Sequence, residues 1–159
     1  MLNFEGKQYL RGKIKPFKMA VFGSRSLKDE RVKTIILEKI NELNPTLIIT
    51  SQEPEGVCEV AQGIAKNYGY PLQLHFLNFQ YLRGAFEHRS KEIINEADYF
   101  IIIHDGKSKG THNEKILVEK SGKPFHYEIL ETTKYKKSVG FNIVKDWDND
   151  EVEKRELKN

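Results

Sequence analysis

Five short apolar runs recur along the chain, at 18–22 (KMAVF), 46–50 (TLIIT), 71–76 (PLQLHF), 99–103 (YFIII) and 124–129 (PFHYEI). Runs of this length, rich in β-branched residues and bounded by turn residues, read as buried strands rather than helices. Between them lie four stretches whose apolar residues return at helical spacing. They are 27–43 with Val32, Ile35, Ile36, Ile40 and Leu43; 56–68 with Val57, Val60, Ala61, Ile64 and Ala65; 83–97 with Ala85, Phe86, Ile93, Ile94 and Ala97; and 111–121 with Ile116, Leu117 and Val118. Asn44-Pro45 stops the first, Gly69 ends the second, and Gly122 with Pro124 punctuates the last. Alternation through five units predicts an α/β, Rossmann-like, three-layer domain: a mostly parallel sheet of about five strands with helices on both faces.

At 159 residues the chain can bury a core without covalent staples. Its 38% hydrophobic and 31% charged residues are a soluble, globular composition. A net charge of only +3 calls for neither a nucleic-acid nor a membrane partner, and no apolar run is long enough to span a bilayer. The polar start has no secretory apolar core, so a cytoplasmic protein is expected. One cysteine, Cys58, excludes an intramolecular disulfide; the histidines at 75, 88, 104, 112 and 126 are scattered, and neither metal nor cofactor is expected. Charge is uneven: Lys7, Arg11, Lys13, Lys15 and Lys18 face Glu5 alone at the start, and acids dominate after Asp146. The reading divides the chain into an arm or edge strand (1–17), a domain (18–130) and a C-terminal extension (131–159). Further strands are expected near 8–10 and 139–144.

In open parallel sheets the ligand sits beyond the carboxyl ends of the strands, near the point where strand order reverses. After the first strand comes Gly23-Ser24-Arg25-Ser26, leading into a helix. Gly23 suits a sharp turn, the amides that follow suit an anion, and Arg25 suits a phosphate. An ordinary serine-capped turn explains the tetrapeptide equally well. After the fourth strand comes Asp105-Gly106-Lys107-Ser108-Lys109-Gly110-Thr111-His112-Asn113-Glu114. Glycines 106 and 110 with Thr111 suit a phosphate-cradling loop. The T-x-x-E spacing equally predicts a capping box with Thr111 as N-cap, and local chemistry favours that. Arg89, on the third helix, falls roughly two turns from the same edge at ~1.5 Å per residue.

Together these residues resemble the SLOG superfamily, which includes the DprA/Smf proteins, the LOG proteins and YspA-like small domains. The step from Arg89 to Asp98 followed by Gly110-Thr111-x-x-Glu114 resembles the LOG pattern, and the Gly23-Ser24-Arg25 turn with Asp105-Gly106-x-Ser108 resembles the YspA-like branch. The stretch after the second strand departs from the family's G-G-A-x-G-A-D form: Gly56 is retained and Cys58 stands where the acid would be. The resemblance implies a Rossmann-like fold and nucleotide-related chemistry.

Three functions follow. The first is binding of a nucleotide or an NAD- or ADP-ribose-like ligand through Gly23, Ser24, Arg25, Gly56, Asp105, Gly106, Ser108, Gly110 and Thr111, with charge from Lys107 and Lys109. The second, implied by the LOG resemblance, is hydrolysis of the N-glycosidic bond of a nucleoside monophosphate. Glu114 would then stabilise the ribosyl centre or activate water, Arg89 would orient the phosphate, and Glu59 or Asp105 would supply a second acid. The third is single-stranded nucleic-acid binding through Phe4, Tyr9 and Phe17 interleaved with basic residues, which the low net charge disfavours. A homo-oligomer is compatible with the sequence and not specified by it.

Overall fold

The computed structural model describes residues 16–132. The strands expected at 8–10 and 139–144, and most of the proposed arm and extension, lie outside those residues. The elements that build the sheet end at Ile129 and run β1 (Lys18–Gly23), α1 (Glu30–Leu43), β2 (Leu47–Ser51), α2 (Val57–Tyr68), β3 (Leu72–His75), a 3-10 segment (Phe79–Gly84), α3 (Ala85–Glu96), β4 (Tyr99–His104), α4 (Lys109–Ser121) and β5 (Phe125–Ile129). All four strand pairings are parallel and the order is β3-β2-β1-β4-β5. The α/β, three-layer expectation holds, and the sheet is parallel throughout.

The central strands show why their sequences carry no alternation. Met19 to Phe22 in β1 and Phe100 to Ile103 in β4 have no exposed surface. A parallel strand covered by helices on both sides must be apolar at successive positions. Helices α1 and α2 pack on one another, as do α3 and α4. Ala20, Phe22, Phe100 and Ile102 join Ile93, Ile94, Ala97 and Val118 in one core, where the Phe22 and Phe100 rings stack with centroids 6.1 Å apart.

Two glycines let the layers close around the carboxyl edge. A Cβ on Gly23 would stand 2.3 Å from Cβ of Val57, at the start of α2. Gly56 has φ +84°, and a Cβ there would meet Arg25 Cα at 2.3 Å and Ser24 O at 2.6 Å. The Val57 amide donates to the Ser24 carbonyl at 3.2 Å. The turn after β1 and the start of α2 are therefore in direct backbone contact, which only glycine at 56 permits. Gly23 is not in the left-handed region: it ends a strand, and tight packing rather than a sharp turn is its reason.

Chain order runs outward from β1 to β3 and then crosses back to β4, so β1 and β4 lie side by side at the reversal point. Their carboxyl ends, Gly23 and His104, mark the crevice where ligands bind in such sheets.

Candidate functional site

Ser24 knots the floor of this crevice. Its amide donates to the Ile103 carbonyl at 3.1 Å, its hydroxyl accepts from the Asp105 amide at 3.0 Å, and it shares a hydrogen bond with the Thr111 hydroxyl at 3.1 Å. Both hydroxyls are buried. Asp105 organises the next loop, accepting from the Ser26 hydroxyl at 2.7 Å and from the amides of Lys107 and Ser108 at 2.8 and 2.7 Å. Partial burial works to raise the Asp105 pKa, but these donors outweigh it and hold it below the usual carboxylate range.

The helix starts that follow β1 and β4 differ in charge. Asp29 caps α1, accepting from the Arg31 amide at 2.9 Å, and Glu30 follows it. Asp29 is itself paired with Arg31 at 2.8 Å, so the start of α1 already carries a carboxylate where an anion would sit. Helix α4 has no acid in its first turn. Its N-cap is Ser108, whose hydroxyl accepts from the Thr111 amide at 3.4 Å. Among the described residues, the amides of Lys109 and Gly110 have no acceptor. The expected capping box is thus absent: the helix begins earlier, and Thr111 and Glu114 lie within it. His104 pins the loop, its Nε2 donating to the Ser108 carbonyl at 2.9 Å. In the neutral ring Nδ1 then accepts the Tyr127 hydroxyl at 2.8 Å.

A buried charge group closes the crevice. Arg89, 5% exposed, reaches across from α3 and donates to Glu53 at 2.6 Å. Glu53 lies two residues past β2 and also pairs with Arg25 at 3.1 Å. The Arg89 guanidinium stands 5.4 Å from the centroid of the Phe86 ring. Glu114 receives one hydrogen bond, from the Ser90 hydroxyl at 3.4 Å. Burial raises its carboxyl, against the lowering influence of Arg89 and Ser90, to about 8. At neutral pH that shift favours the uncharged carboxyl, which can donate as well as accept a hydrogen bond.

Two cavities open here. One, of about 450 Å³, lies over the sheet edge and is walled by Gly23, Arg25, Glu53, Asp105, Ser108 and Thr111 among others. The second, of about 460 Å³, runs between α3 and α4 past Arg83, Asn113, Ile116 and Leu117. They share Phe86, Arg89, Gly110 and Glu114. The volumes fall in the range of small-molecule sites.

Of the residues singled out in the sequence, Gly23, Arg25, Arg89, Asp105, Ser108, Gly110, Thr111 and Glu114 line the sheet-edge cavity. Ser24, Gly56 and Gly106 do not; the first two support its floor, and a Cβ on Gly106 would face Ile129 at 3.6 Å. Lys107, Lys109 and Glu59 are exposed and line neither cavity. Sequence reasoning missed Glu53 and the site role of Phe86. An acid two residues past a strand end was the available signal for Glu53. Asp98, part of the LOG-like pattern, lies at the opposite edge, where its carboxylate accepts the Lys18 amide at 2.9 Å. Among the described residues no group of three or more His, Cys, Asp or Glu side chains is placed to hold a metal ion, and no helix is long and apolar enough to cross a membrane.

No family model and no curated protein matches the sequence. Among solved structures, that of the Moco carrier protein from Chlamydomonas reinhardtii is similar, with a TM-score of 0.50 and 16% identity over 83% of this chain and 89% of that one. The likeness is one of fold: a Rossmann-like α/β domain.

Proposed function

We propose that the sheet-edge cavity binds a phosphate-bearing small molecule of nucleotide type, in keeping with the SLOG resemblance. The observation that carries this reading is the start of α4, where the Gly110 amide, without an acceptor among the described residues, borders a cavity that also holds Arg25 and Arg89. With Glu114 protonated, the two arginines are balanced by Glu53 and Asp105. The preference for an anion then comes from oriented amides and the helix dipole. More than half of the Arg25 side chain is exposed, so its guanidinium has donors left for a phosphate oxygen beside its pairing with Glu53. The solved neighbour is by its title a Moco carrier protein, so Moco joins nucleotides and dinucleotides in the binding panel. A true ligand should stabilise the fold by ~2.7 kcal/mol at about 100 times its dissociation constant. Absence of any thermal shift across that panel and with inorganic phosphate would overturn the reading.

A second reading, N-glycoside hydrolysis, draws on one observation: an ion-paired Glu53 and a protonated Glu114 line the same cavity. A raised carboxyl beside a carboxylate bound by two arginines is an arrangement that can supply a general acid. Glu114 would give its proton to the departing base as the C–N bond breaks, and the water that adds to the ribosyl carbon would return a proton to the Glu114 carboxylate. Release of free base from a nucleoside monophosphate, abolished in Glu114→Gln, would establish it; no release from any such substrate leaves binding alone.

A further inference from the structure

The groove between α3 and α4 has a composition that the phosphate reading does not use. Its apolar wall is Phe86, Ile116 and Leu117. The Phe86 ring is 51% exposed although it borders both cavities. On the polar side, beside the charged Arg83, Glu87 and Arg89, stand Asn113, whose side chain has no partner among the described residues, and Glu114, whose one hydrogen bond is the long one from Ser90. An apolar wall that includes an aromatic ring, beside a few underused donors and acceptors, is what a heteroaromatic ligand requires. An aliphatic chain would leave Asn113 and Glu114 unsatisfied, at the cost that buried polar groups incur when they lose water without gaining a partner. A protonated carboxyl adds the useful property of one donor and one acceptor on adjacent atoms.

We infer that the α3–α4 groove seats a planar nitrogen heterocycle, with Phe86 against its face and Asn113 and Glu114 on its edge. This rests on the reading of the adjoining cavity as a phosphate site: the ligand would lie across the four shared residues, phosphate over the sheet edge and ring between the helices.

The test measures binding of ribose 5-phosphate, adenosine 5′-monophosphate and guanosine 5′-monophosphate to the full chain by calorimetry. The expected result is that at least one nucleotide binds roughly tenfold or more tightly than ribose 5-phosphate, the scale of one base–aromatic contact. Phe86→Ala should erase that advantage, so that the nucleotide binds this variant no more tightly than ribose 5-phosphate does, and Phe86→Trp should keep it. Because Phe86 is half-exposed, its truncation should leave the fold intact, which a melting curve checks. Phe79→Ala, an exposed aromatic lining neither cavity, is the control and should change nothing. If the three compounds bind equally, or Phe86→Ala preserves the nucleotide advantage, the heterocycle proposal is overturned and the phosphate reading stands. Nucleotide binding that depends on Phe86 but is unaccompanied by ribose 5-phosphate binding would support the groove and count against the phosphate site. Absence of binding by all three overturns both.

Discussion

Arg89 on α3 and Glu53 beyond β2 meet at 2.6 Å across 36 positions of sequence, with both side chains almost wholly buried. The pair ties the helix layer on one side of the sheet to a loop at the end of a strand. Arg89 also sets the electrostatics of Glu114, whose carboxyl it works to keep ionised against the cost of burial.

Removing one partner should be worse than removing both. Glu53→Gln leaves Arg89 charged and buried with no carboxylate at bonding distance, and a loss of roughly 3 kcal/mol is expected. Arg89→Met costs less, since Glu53 keeps Arg25. Combining Glu53→Gln with Arg89→Met should recover much of the loss. Urea unfolding of the four proteins gives the coupling energy directly; simple additivity would show that the pair does not act as a unit.

The protonated state of Glu114 makes stability depend on pH in a defined direction. Its folded pKa of about 8 lies above its ordinary value of 4.5. Between those values the folded protein holds a proton that the unfolded chain has released, so ionisation favours unfolding and stability falls as pH rises. Below the window the contribution is fully present, and above about 8 it is lost. The total is of order a few kcal/mol, at about 1.4 kcal/mol per pKa unit. Glu114→Gln carries no such titration. Its melting temperature relative to wild type should rise steadily from pH 5 to pH 8, and parallel curves would mean that Glu114 is ionised in the fold.

The order of elements was legible because covered parallel strands and amphipathic helices leave different periodicities. Each strand and helix lies within a few residues of its expected position. The largest shift at a helix start, in α1, arises because Asp29 rather than the serine turn caps it. At the site, residues following β1 and β4 were found because strand ends in such sheets are known places to look. Glu53 was not, since Glu53-Pro54-Glu55 has the composition of any polar loop. Its importance comes from β2 lying next to β1 and from α3 crossing back over the sheet. The capping box failed for a local reason. Ser108, three residues before Thr111, offers the same hydroxyl and is fixed in place through its own carbonyl by His104.

Gly56 should be the least replaceable glycine. Alanine there adds a Cβ 2.3 Å from Arg25 Cα, backbone that cannot swing aside, and keeps a φ of +84°. A loss on the order of 3 kcal/mol or more is expected, with the turn carrying Arg25 displaced. Gly23→Val is similarly disruptive because it drives into Val57, so it cannot serve as a clean test of ligand contact. Thermal melts of Gly56→Ala and, as a control, Gly63→Ala, where a Cβ meets nothing within 4 Å, separate packing from mere loss of glycine.

Lys123 closes the far end of α3. Its ammonium donates to the carbonyls of Ile94, Asn95 and Ala97 at 2.8, 3.2 and 2.8 Å, satisfying groups that a helix end leaves open. Lys123→Met should lower stability by about 1 to 2 kcal/mol and speed hydrogen exchange in the last turn of α3, without altering phosphate binding.

The link from Tyr127 through His104 to the Ser108 carbonyl gives an outer strand a hand in the crevice. β5 is the last strand of the sheet, with one edge unpaired by any described strand. Yet the orientation of the imidazole that steadies the start of α4 depends on its tyrosine hydroxyl. Mechanical or covalent disturbance of that margin, whether a strand pairing alongside it or a cut just before it, would reach the start of α4, whose Gly110 borders the cavity, through two hydrogen bonds. The rim of the molecule and its pocket are in this sense one device, and labels or fusions placed next to β5 should be chosen with the pocket in mind.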